Sequence, residues 1–386
     1  MMLVACHLTT KTSIPPSFTS TAASSPTETL PPEPTAIETA AETHTPVPRV
    51  PASIVELEGA EVPPGFSLIK FADLYRPTGF DFDEQGRLFV TSQDGNVYIL
   101  HDENKDGRAD SRRTFATGYY FPLGVALHDS TGEVYVSYQG AITILQDTNA
   151  DERADTERLL VGDLPFNKHQ NDNLEFGPDG WLYIGVGSAC DACNDSDPRS
   201  ASILRFAVET GASEIVATGL RNPFDIAFQP ATGELFATDN GRDNLGMEAP
   251  FEELNHIRPG ADYGYPNCWN EQDQPDCESA IPPIAVFESH SSADGLDFCS
   301  SEQFPQEYRG NAFVSIFGSW LKANVQTGIQ RVVLTPSGET YTAQAGWFIR
   351  FPTGVMPLPL LCGPDGAMYV GDYVGDAIYR ISYGLP

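Results

Sequence analysis

The sequence has few basic residues. It contains 22 Lys and Arg residues against 53 Asp and Glu residues, which gives a formal net charge of −31 with neutral His. Because a chain this acidic repels the phosphate backbone of DNA and RNA, we expect no nucleic-acid partner. The sequence also lacks any run of about 18 apolar residues, so we expect no segment to span a bilayer.

Charged residues are scarce as well, at 19% of the chain, whereas Gly (34) and Pro (31) are abundant. This balance favours many short strands and turns over long helices. The hydrophobic share of 41% and the aromatic share of 11% are sufficient for a sizeable core, which excludes a chain that is disordered throughout.

The segment 1–52 differs from the rest of the chain. From residue 7 onwards it is dominated by Ser, Thr, Pro and Ala, a composition that predicts a disordered tether. The preceding Leu3-Val4-Ala5-Cys6 resembles the lipobox of bacterial lipoproteins, in which Cys6 would carry lipid; the alternative is an accidental Cys. We therefore expect an extracytoplasmic protein, secreted or lipid-anchored at a bacterial cell surface, with membrane contact only through Cys6.

The six other cysteines can all form disulfides. Proximity in sequence favours the pairs Cys190–Cys193 and Cys268–Cys277, which leaves Cys299–Cys362. A redox-active CxxC motif or a zinc site is the competing interpretation, although no second CxxC and no nearby His pair supports zinc. Structural disulfides fit an oxidising compartment outside the cytoplasm.

One pattern recurs six times after residue 53: an apolar quartet, a turn glycine and a second apolar segment. The quartets begin at Gly79, Gly124, Asn173, Asp225, Gly295 and Pro359. The turn glycines are Gly86, Gly132, Gly180, Gly233, Gly310 and Gly366. Each unit is typical of two strands joined by a tight hairpin with Gly at a positive φ.

Repetition at this spacing indicates a β-propeller. Six copies predict one all-β domain over residues 53–386, a six-bladed β-propeller with four-stranded antiparallel blades. A β-sandwich is the alternative, but it would not need the repetition. We expect residues 66–69 to pair with 377–381 and close the ring.

The loops before the innermost strands of a propeller converge at one mouth of its channel. His169 and Arg221 occupy the same position, four residues before the quartets of neighbouring blades. Such a pair could act as a general base and a stabiliser of negative charge. Alternatively, His169 only hydrogen-bonds the loop backbone and Arg221 pairs with a carboxylate. The long interval of 77 residues from Gly233 to Gly310 predicts a binding wall beside them.

Several motifs resemble the glucose/sorbosone dehydrogenase family, the soluble quinoprotein sugar dehydrogenases. They include His169 within 168–180, Gly219-Leu220-Arg221-Asn222-Pro223, Asp239-Asn240-Gly241-Arg242-Asp243 and Gly363-Pro364-Asp365-Gly366. The resemblance covers residues from about 60 to 384. It implies a six-bladed propeller that holds pyrroloquinoline quinone (PQQ) and calcium in its funnel and oxidises an aldose or a sugar aldehyde.

The resemblance also implies individual roles. His169 would take the proton from the anomeric hydroxyl, or from an aldehyde hydrate, while hydride passes to the quinone. Arg221 and Asn222 would hydrogen-bond the quinone oxygens and stabilise their negative charge. The main-chain carbonyls of Gly241 and Arg242 would ligate calcium. The substrate would be a small sugar, and the electron acceptor is left undefined.

The match departs from the family at several positions. Lys168 stands where a carboxylate is common, and Tyr119 and Tyr120 fill a place often held by Gln. Val355-Met356-Pro357 replaces a common Gly-Arg-Pro, which removes a cation that could pair with a cofactor carboxylate. Lys322 or Arg350 could supply that cation instead.

Two acidic loops have the spacing of oxygen ligands in calcium loops. The first carries Asp102, Asn104, Asp106 and Asp110, with Gly107 at the turn and Arg113 in place of the usual glutamate. The second carries Asp147, Asn149, Asp151 and Asp155. We predict structural calcium in the first loop and leave the second open; the alternative for both is a solvated acidic turn.

Two other functions are compatible with the sequence. One is a non-enzymatic extracellular propeller that binds a glycan or a protein at the same funnel. The other is a metal-dependent lactonase, which would need several acidic or amide ligands in the channel. The positions upstream of the quartets supply few carboxylates, which argues against the lactonase.

Overall fold

The computed structural model describes residues 50–270 and 277–386. Cys6 and the tether up to residue 49 lie outside these ranges, so the lipid and tether stay predictions. Within the described ranges, no helix has the length and apolar character needed to cross a membrane. The same ranges contain 24 strands and two short 3₁₀ helices, Asp243–Leu245 and Gln306–Tyr308.

The strands form six four-stranded antiparallel sheets, and the first strand joins the last sheet. That strand is β1 (Phe66–Asp73). Blade 1 consists of β2 (Pro77–Phe82), β3 (Leu88–Ser92), β4 (Asn96–His101) and β5 (Ser111–Thr117). Blade 2 consists of β6 (Gly124–Leu127), β7 (Val134–Tyr138), β8 (Ala141–Gln146) and β9 (Thr156–Val161). Blade 3 consists of β10 (Asn171–Phe176), β11 (Leu182–Val186), β12 (Ser202–Ala207) and β13 (Ala212–Thr218).

The remaining blades follow the same plan. Blade 4 consists of β14 (Ile226–Phe228), β15 (Leu235–Asp239), β16 (Glu252–Ile257) and β17 (Ala285–Phe287). Blade 5 consists of β18 (Ala293–Cys299), β19 (Asn311–Ile316), β20 (Gly328–Ser337) and β21 (Thr340–Arg350). Blade 6 consists of β22 (Pro357–Cys362), β23 (Met368–Asp372), β24 (Ala377–Tyr383) and β1. The predicted six-bladed propeller is confirmed.

The local signals that predicted the blades have clear structural counterparts. All six turn glycines have φ between +67° and +84°, a region that side chains with a Cβ rarely enter. The second strands β3, β11, β15, β19 and β23 are buried along their whole length. Both of their faces are covered because blades stack face to face around the axis, which explains consecutive apolar residues such as Leu88-Phe89-Val90 and Met368-Tyr369-Val370.

The ring closes as predicted through β1, which pairs with β24 from Phe66↔Tyr383 to Asp73↔Ala377. The ring centroid of Phe66 lies 5.0 Å from those of Phe304 and Phe348, with the rings in edge-to-face contact. Burying an aromatic side chain of this size stabilises a fold by several kcal/mol, and truncation costs about 3–5 kcal/mol. The N-terminal strand is therefore anchored to blade 5 as well as to blade 6.

Aspartates tie the innermost strands of neighbouring blades together. The carboxylate of Asp81 accepts the backbone N–H of Leu127 at 2.6 Å, and that of Asp297 accepts the N–H of Cys362 at 2.6 Å. Asp225 makes the same kind of bond between blades 4 and 5. Burial raises the pKa of Asp81 to about 7 and that of Asp297 to about 6. These buried carboxyl groups thus link blade 1 to 2, blade 4 to 5 and blade 5 to 6.

The three predicted disulfides are all present: Cys190–Cys193, Cys268–Cys277 and Cys299–Cys362. The pairing of Cys190 with Cys193 removes the basis for a zinc site there. Disulfides of this kind form and persist in oxidising environments such as the cell exterior.

Strand direction separates the loops onto two faces. The funnel face carries the connections between blades and the loops between second and third strands. Its segments are 74–76, 118–123, 162–170, 219–225, 288–292 and 351–356, with 93–95, 139–140, 187–201, 240–251, 317–327 and 373–376. The opposite face carries the glycine hairpins, which join first to second strands. It also carries both acidic loops, which join third to fourth strands. Neither acidic loop therefore lies near the mouth that carries His169 and Arg221.

Candidate functional site

A cavity of about 470 Å³ opens on the funnel face, within the range of about 300–1,000 Å³ that is typical of small-molecule sites. His169, Arg221, Asn222 and Gly241 all line it, so residues from distant motifs are brought together. Arg242 follows Gly241, but its side chain turns outwards, where Nη1 donates to the carbonyl of Pro266 at 2.7 Å.

The contacts of His169 define its tautomer. Its Nδ1 lies 3.0 Å from the carbonyl oxygen of Ser188 and 3.0 Å from the Ser188 hydroxyl oxygen. A carbonyl can only accept, so Nδ1 must carry the proton and donate it. The Ser188 hydroxyl donates in turn to the carbonyl of Cys190 at 2.7 Å. Nε2 is then the nitrogen with the lone pair, which is the atom that a general base needs.

The environment keeps this imidazole neutral. Burial, followed by the positive charge of Arg221, lowers the pKa of His169 to about 3 from an ordinary value of 6.5. At neutral pH the ring is therefore neutral, with a proton on Nδ1 and a lone pair on Nε2.

Arg221 is buried, and carboxylates hold its guanidinium. Nη2 lies 2.8 Å from a carboxylate oxygen of Asp191 and 3.3 Å from one of Asp243. Nε donates to the carbonyl of Asp191 at 3.1 Å and Nη1 to that of Asn240 at 3.0 Å. The hydrogen bonds use three of the five N–H groups, and the contact with Asp243 is an ion pair. The alternative considered from the sequence, that Arg221 pairs with a carboxylate, is therefore correct, and Arg221 also lines the cavity.

Lys168 joins the same ion-pair network. Its Nζ lies 2.5 Å from the carboxylate of Asp243 and 3.3 Å from that of Asp191. Burial raises the pKa of Asp191, but the backbone N–H of Asp243 and the Arg221 guanidinium outweigh it and lower that pKa to about 2. The cation at position 168 is therefore balanced by carboxylates that come from other loops.

A disulfide-closed loop supports both residues of the predicted pair. Asp191 lies between Cys190 and Cys193 and contacts Arg221, while the Cys190 carbonyl accepts the Ser188 hydroxyl that contacts His169. The same carbonyl accepts the Tyr265 hydroxyl at 3.0 Å. Tyr265 belongs to the long interval from Gly233 to Gly310 and contacts the disulfide-closed loop. Gly241 and Glu252, earlier in the same interval, line the cavity.

Asp239 connects two of the motifs. Its carboxylate accepts the backbone N–H of Arg221 at 3.0 Å and that of Asn222 at 2.6 Å. Burial, then the nearby Glu253, raises the pKa of Asp239 to about 8. A side chain from the end of β15 thus fixes the backbone that presents both cavity residues.

Two acidic residues of the cavity, Glu252 and Asp294, had no individual role predicted from the sequence, although both lie in the interval from Gly233 to Gly310 that predicted a binding wall. Glu252 accepts the N–H of Gly241 at 2.6 Å, and Asp294 accepts the Asn240 amide at 2.7 Å. Burial raises their pKa values to about 8 and about 7. The available signal was that Asp294 directly precedes a quartet. The cavity therefore contains more carboxyl groups than the positions upstream of the quartets indicated. Their presence weakens the case against a lactonase.

Buried oxygen atoms around the cavity lack partners. Asn222 Oδ1 and Asn240 Oδ1 have no hydrogen-bond partner among the described residues, although most buried polar atoms in folded proteins are paired. Within the same part of the chain, the one group of three His, Cys, Asp or Glu side chains that converges closely enough for a metal is Cys190, Cys193 and Asp195, and its cysteines form a disulfide.

The first acidic loop is held by its own backbone. Asp102 accepts the N–H of Gly107 at 2.9 Å and Asp110 accepts that of Glu103 at 2.8 Å. Asn104 donates to Asp110 at 2.9 Å, and Asp106 accepts the N–H of Arg108. The calcium expected at Asp102, Asn104, Asp106 and Asp110 stays a prediction.

The opposite wall of the cavity is aromatic. Phe121, Phe317, Trp320 and Tyr373 line it, and the indole of Trp320 is 74% exposed. The ring centroid of Phe317 lies 5.8 Å from both Trp320 and Tyr373.

The two cations suggested as replacements pair elsewhere. Lys322 lies 3.1 Å from Glu288, and Arg350 lies 2.9 Å from Glu61. Neither side chain lines the cavity. Val355 is buried and does not line it either.

Two relatives illustrate the sequence similarity. An uncharacterized protein of Borreliella burgdorferi is 24% identical over 353 residues, which cover 84% of this chain and 90% of that protein. The aldose sugar dehydrogenase YliI of Escherichia coli K12 is 24% identical over 232 residues, covering 54% of this chain and 58% of YliI. The chain thus matches less than two thirds of YliI.

Solved structures share the fold. A calcium structure of a family AA12 carbohydrate-active enzyme from Trichoderma reesei superposes with a TM-score of 0.74 at 18% identity, covering 86% of this chain and 100% of that one. The holo form of the pyranose dehydrogenase PQQ domain from Coprinopsis cinerea gives a TM-score of 0.73 at 18% identity, covering 86% and 99%. The expected resemblance to quinoprotein sugar dehydrogenases is therefore confirmed at the level of fold.

A family model covers most of the propeller. It matches residues 55–380 and is described as a domain of unknown function, DUF7133. With its six blades and its funnel-face cavity, this chain belongs to the DUF7133 family.

Proposed function

We propose that this chain is a PQQ-dependent oxidoreductase that oxidises an aldose or a sugar aldehyde. The observation that carries the proposal is a neutral His169, with its lone pair on Nε2, in one cavity with the buried guanidinium of Arg221. The printed names of the E. coli and C. cinerea relatives, a sugar dehydrogenase and a PQQ domain, support the same reaction class.

The residues present fit the cofactor. PQQ is flat and carries several carbonyl and carboxylate oxygens, which require hydrogen-bond donors and nearby cations. The cavity offers the two remaining N–H groups of Arg221, the amide NH₂ of Asn222 and the ammonium of Lys168. Calcium takes oxygen ligands, and the carbonyls of Gly241 and Arg242 would supply them, with Asn240, Glu252 and Asp294 close by.

Each residue then has a defined task. PQQ, when bound, supplies the acceptor for the hydride that leaves the sugar carbon. His169 Nε2 takes the hydroxyl proton, and the Ser188 carbonyl keeps the opposite nitrogen protonated and fixes the ring. Arg221 and Asn222 donate hydrogen bonds where negative charge develops, and Asp191 and Asp239 hold them there before the reaction begins.

The proposal includes an extracytoplasmic location, because three disulfides are expected where thiols are oxidised. It also includes structural calcium at the Asp102–Asp110 loop and lipid on Cys6. The electron acceptor would be a separate, unidentified partner.

The test is reconstitution of purified protein with PQQ and calcium, followed by reduction of a dye with a panel of aldoses. We expect His169→Ala to lower kcat by about 10²–10⁴-fold, the usual contribution of a positioned base, and to retain PQQ binding by absorbance. The matched control is His128→Ala, because His128 follows β6 on the opposite face, packed against Phe176.

The outcomes separate the candidate functions. Dye reduction that survives His169→Ala would remove His169 from its role. Failure to reduce the dye with any aldose, together with failure to bind PQQ, would overturn the proposed reaction and favour the non-enzymatic propeller.

A further inference from the structure

The exposed aromatic side chains are distributed unevenly between the two faces. Six aromatic residues of the described chain are exposed, by 40–74%, and all six lie in funnel-face loops. They are Tyr75, Tyr120, Phe121, Phe166, Phe251 and Trp320. Single exposed apolar residues are ordinary, but their concentration on one face is typical of a ligand-binding surface.

Two of these rings, Trp320 and Tyr75, are linked through other side chains into a band. The ring centroid of Trp320 lies 5.8 Å from Phe317, which lies 5.8 Å from Tyr373. The guanidinium of Arg76 then lies 5.2 Å from the ring of Tyr373 and 5.4 Å from that of Tyr75. The band, here called the aromatic arc, runs from the cavity wall of blade 5 across blade 6 to blade 1, and we include Tyr120 and Phe121 of blade 2 in it.

Blade 2 presents its two rings with a strained backbone. Phe121 has φ of +50°, a conformation that is unusual for a bulky residue and is retained mainly where neighbouring structure enforces it. The buried amide of Gln170 donates to the Phe121 carbonyl at 2.9 Å and fixes this loop. Phe121 thereby lines the cavity, while Tyr120, in edge-to-face contact at 4.9 Å, is 64% exposed outside it.

The chemistry of the arc indicates what it binds. Aromatic faces carry negative charge density, and a pyranose ring offers them an apolar face of C–H groups while its hydroxyls stay in water. Because the arc continues from inside the cavity to the exposed rim, it can contact more sugar rings than the one that reacts. The net charge of −31 opposes acidic glycans.

We propose that the aromatic arc binds a neutral oligosaccharide, with its reducing end in the cavity and its further sugar rings on Tyr120 and Tyr75. This inference extends the proposed function by naming a class of substrate, and the orientation of the sugar depends on that proposed function. Binding along the arc requires neither the cofactor nor turnover.

The test is calorimetric titration of the cofactor-free protein with maltopentaose, cellopentaose and xylopentaose, each compared with its monosaccharide. We expect at least one pentasaccharide to bind at least tenfold more tightly than its monosaccharide. Tyr120→Ala and Tyr75→Ala should each weaken that binding by about tenfold, the loss of one well-packed aromatic contact. Tyr120→Phe, which keeps the ring, should bind like wild type.

The control is Leu159→Ala, because Leu159 is 61% exposed on β9, outside the funnel-face loops. The proposal is overturned if none of the pentasaccharides binds better than its monosaccharide, if Tyr120→Ala binds like wild type, or if pentagalacturonate binds more tightly than the neutral probes.

The outcome for oligosaccharide binding can be separated from the outcome for the proposed oxidation. If the cofactor-free protein binds a pentasaccharide but the reconstituted protein reduces no dye, the arc stands and the proposed oxidation is wrong. If monosaccharides are oxidised and pentasaccharides show neither binding nor a lower KM, the arc proposal is overturned and the oxidation stands.

Discussion

The cavity has two unlike walls. Blades 3 and 4 supply a polar wall of Lys168, His169, Arg221 and Asn222, whereas blades 5, 6 and 2 supply the aromatic wall. Each charged group of the polar wall is fixed by partners from other loops, and Arg221 alone has three. In the aromatic wall, Trp320 and Phe121 are exposed, whereas Phe317 is buried and Tyr373 is half-buried. The contrast indicates that one wall is preorganised for reaction and the other for holding the substrate.

The largest effect on this contrast is expected from Arg221→Ala. It removes a preorganised donor from the polar wall and takes one of two cation partners, Arg221 and Lys168, from the carboxylates of Asp191 and Asp243. We expect kcat of the reconstituted protein to fall by about 10²–10³-fold, as for other donors to developing charge, measured by dye reduction.

The matched control for that change is Arg205→Ala, because Arg205 pairs with Asp179 and Glu214 on the outer part of blade 3. Equal losses of kcat in the two variants would contradict a special role for the polar wall.

The second effect concerns stability and pH. Burial raises the pKa values of Asp239 and Glu252 to about 8 and that of Asp294 to about 7. Between pH 6.5 and 8 the folded state therefore binds more protons than the unfolded state, and stability falls as pH rises. We expect the free energy of unfolding to drop by about 1–3 kcal/mol over this range, measured by urea denaturation.

A variant isolates the source of that pH dependence. Glu252→Gln should flatten the profile because it removes one of the titrating groups. Constant or rising stability between pH 6.5 and 8 would show that these carboxyls are ionised in the folded protein. His169 acts in the opposite direction and only near the lower end of this range, because its pKa is lowered from 6.5 in the folded state and the unfolded state therefore binds the extra proton.

A smaller effect is expected from the loop that supports the polar wall. Asp191→Asn weakens the contacts to Arg221 and Lys168 without removing either cation. We expect kcat to fall by about tenfold, or about 1.4 kcal/mol, with a similar loss after reduction of the Cys190–Cys193 disulfide.

The control for the loop is Asp163→Asn, because Asp163 is an exposed partner of Arg199 at the surface. The support role would be wrong if Asp191→Asn retained full kcat, or if only KM changed.

Much of the fold could be predicted because its signals are local and repeat. Each blade restates the same quartet and positive-φ glycine, and the ring closure follows from one leftover strand. The same register placed His169 and Arg221 in equivalent loops of adjacent blades, which is why the sequence brought them to one cavity.

The rest depends on contacts between loops of different length, which periodicity does not encode. Asp191 reaches Arg221 from a disulfide loop 30 residues away in sequence, and Asp294 reaches Asn240 across 54 residues. Tyr75 and Tyr120 also stand four residues before a quartet, as His169 and Arg221 do, but both are exposed and neither lines the cavity. The course of each loop, rather than its position in the repeat, determines whether these two side chains reach the cavity.

The division between the walls is tested most directly by titrating PQQ, in the presence of calcium, into wild type, Asn222→Ala and Tyr120→Ala, with heat as the readout. The account predicts saturable binding by wild type and Tyr120→Ala, and a large loss of affinity in Asn222→Ala. Wild type that takes up no PQQ, or binding that is lost in Tyr120→Ala and kept in Asn222→Ala, would contradict it.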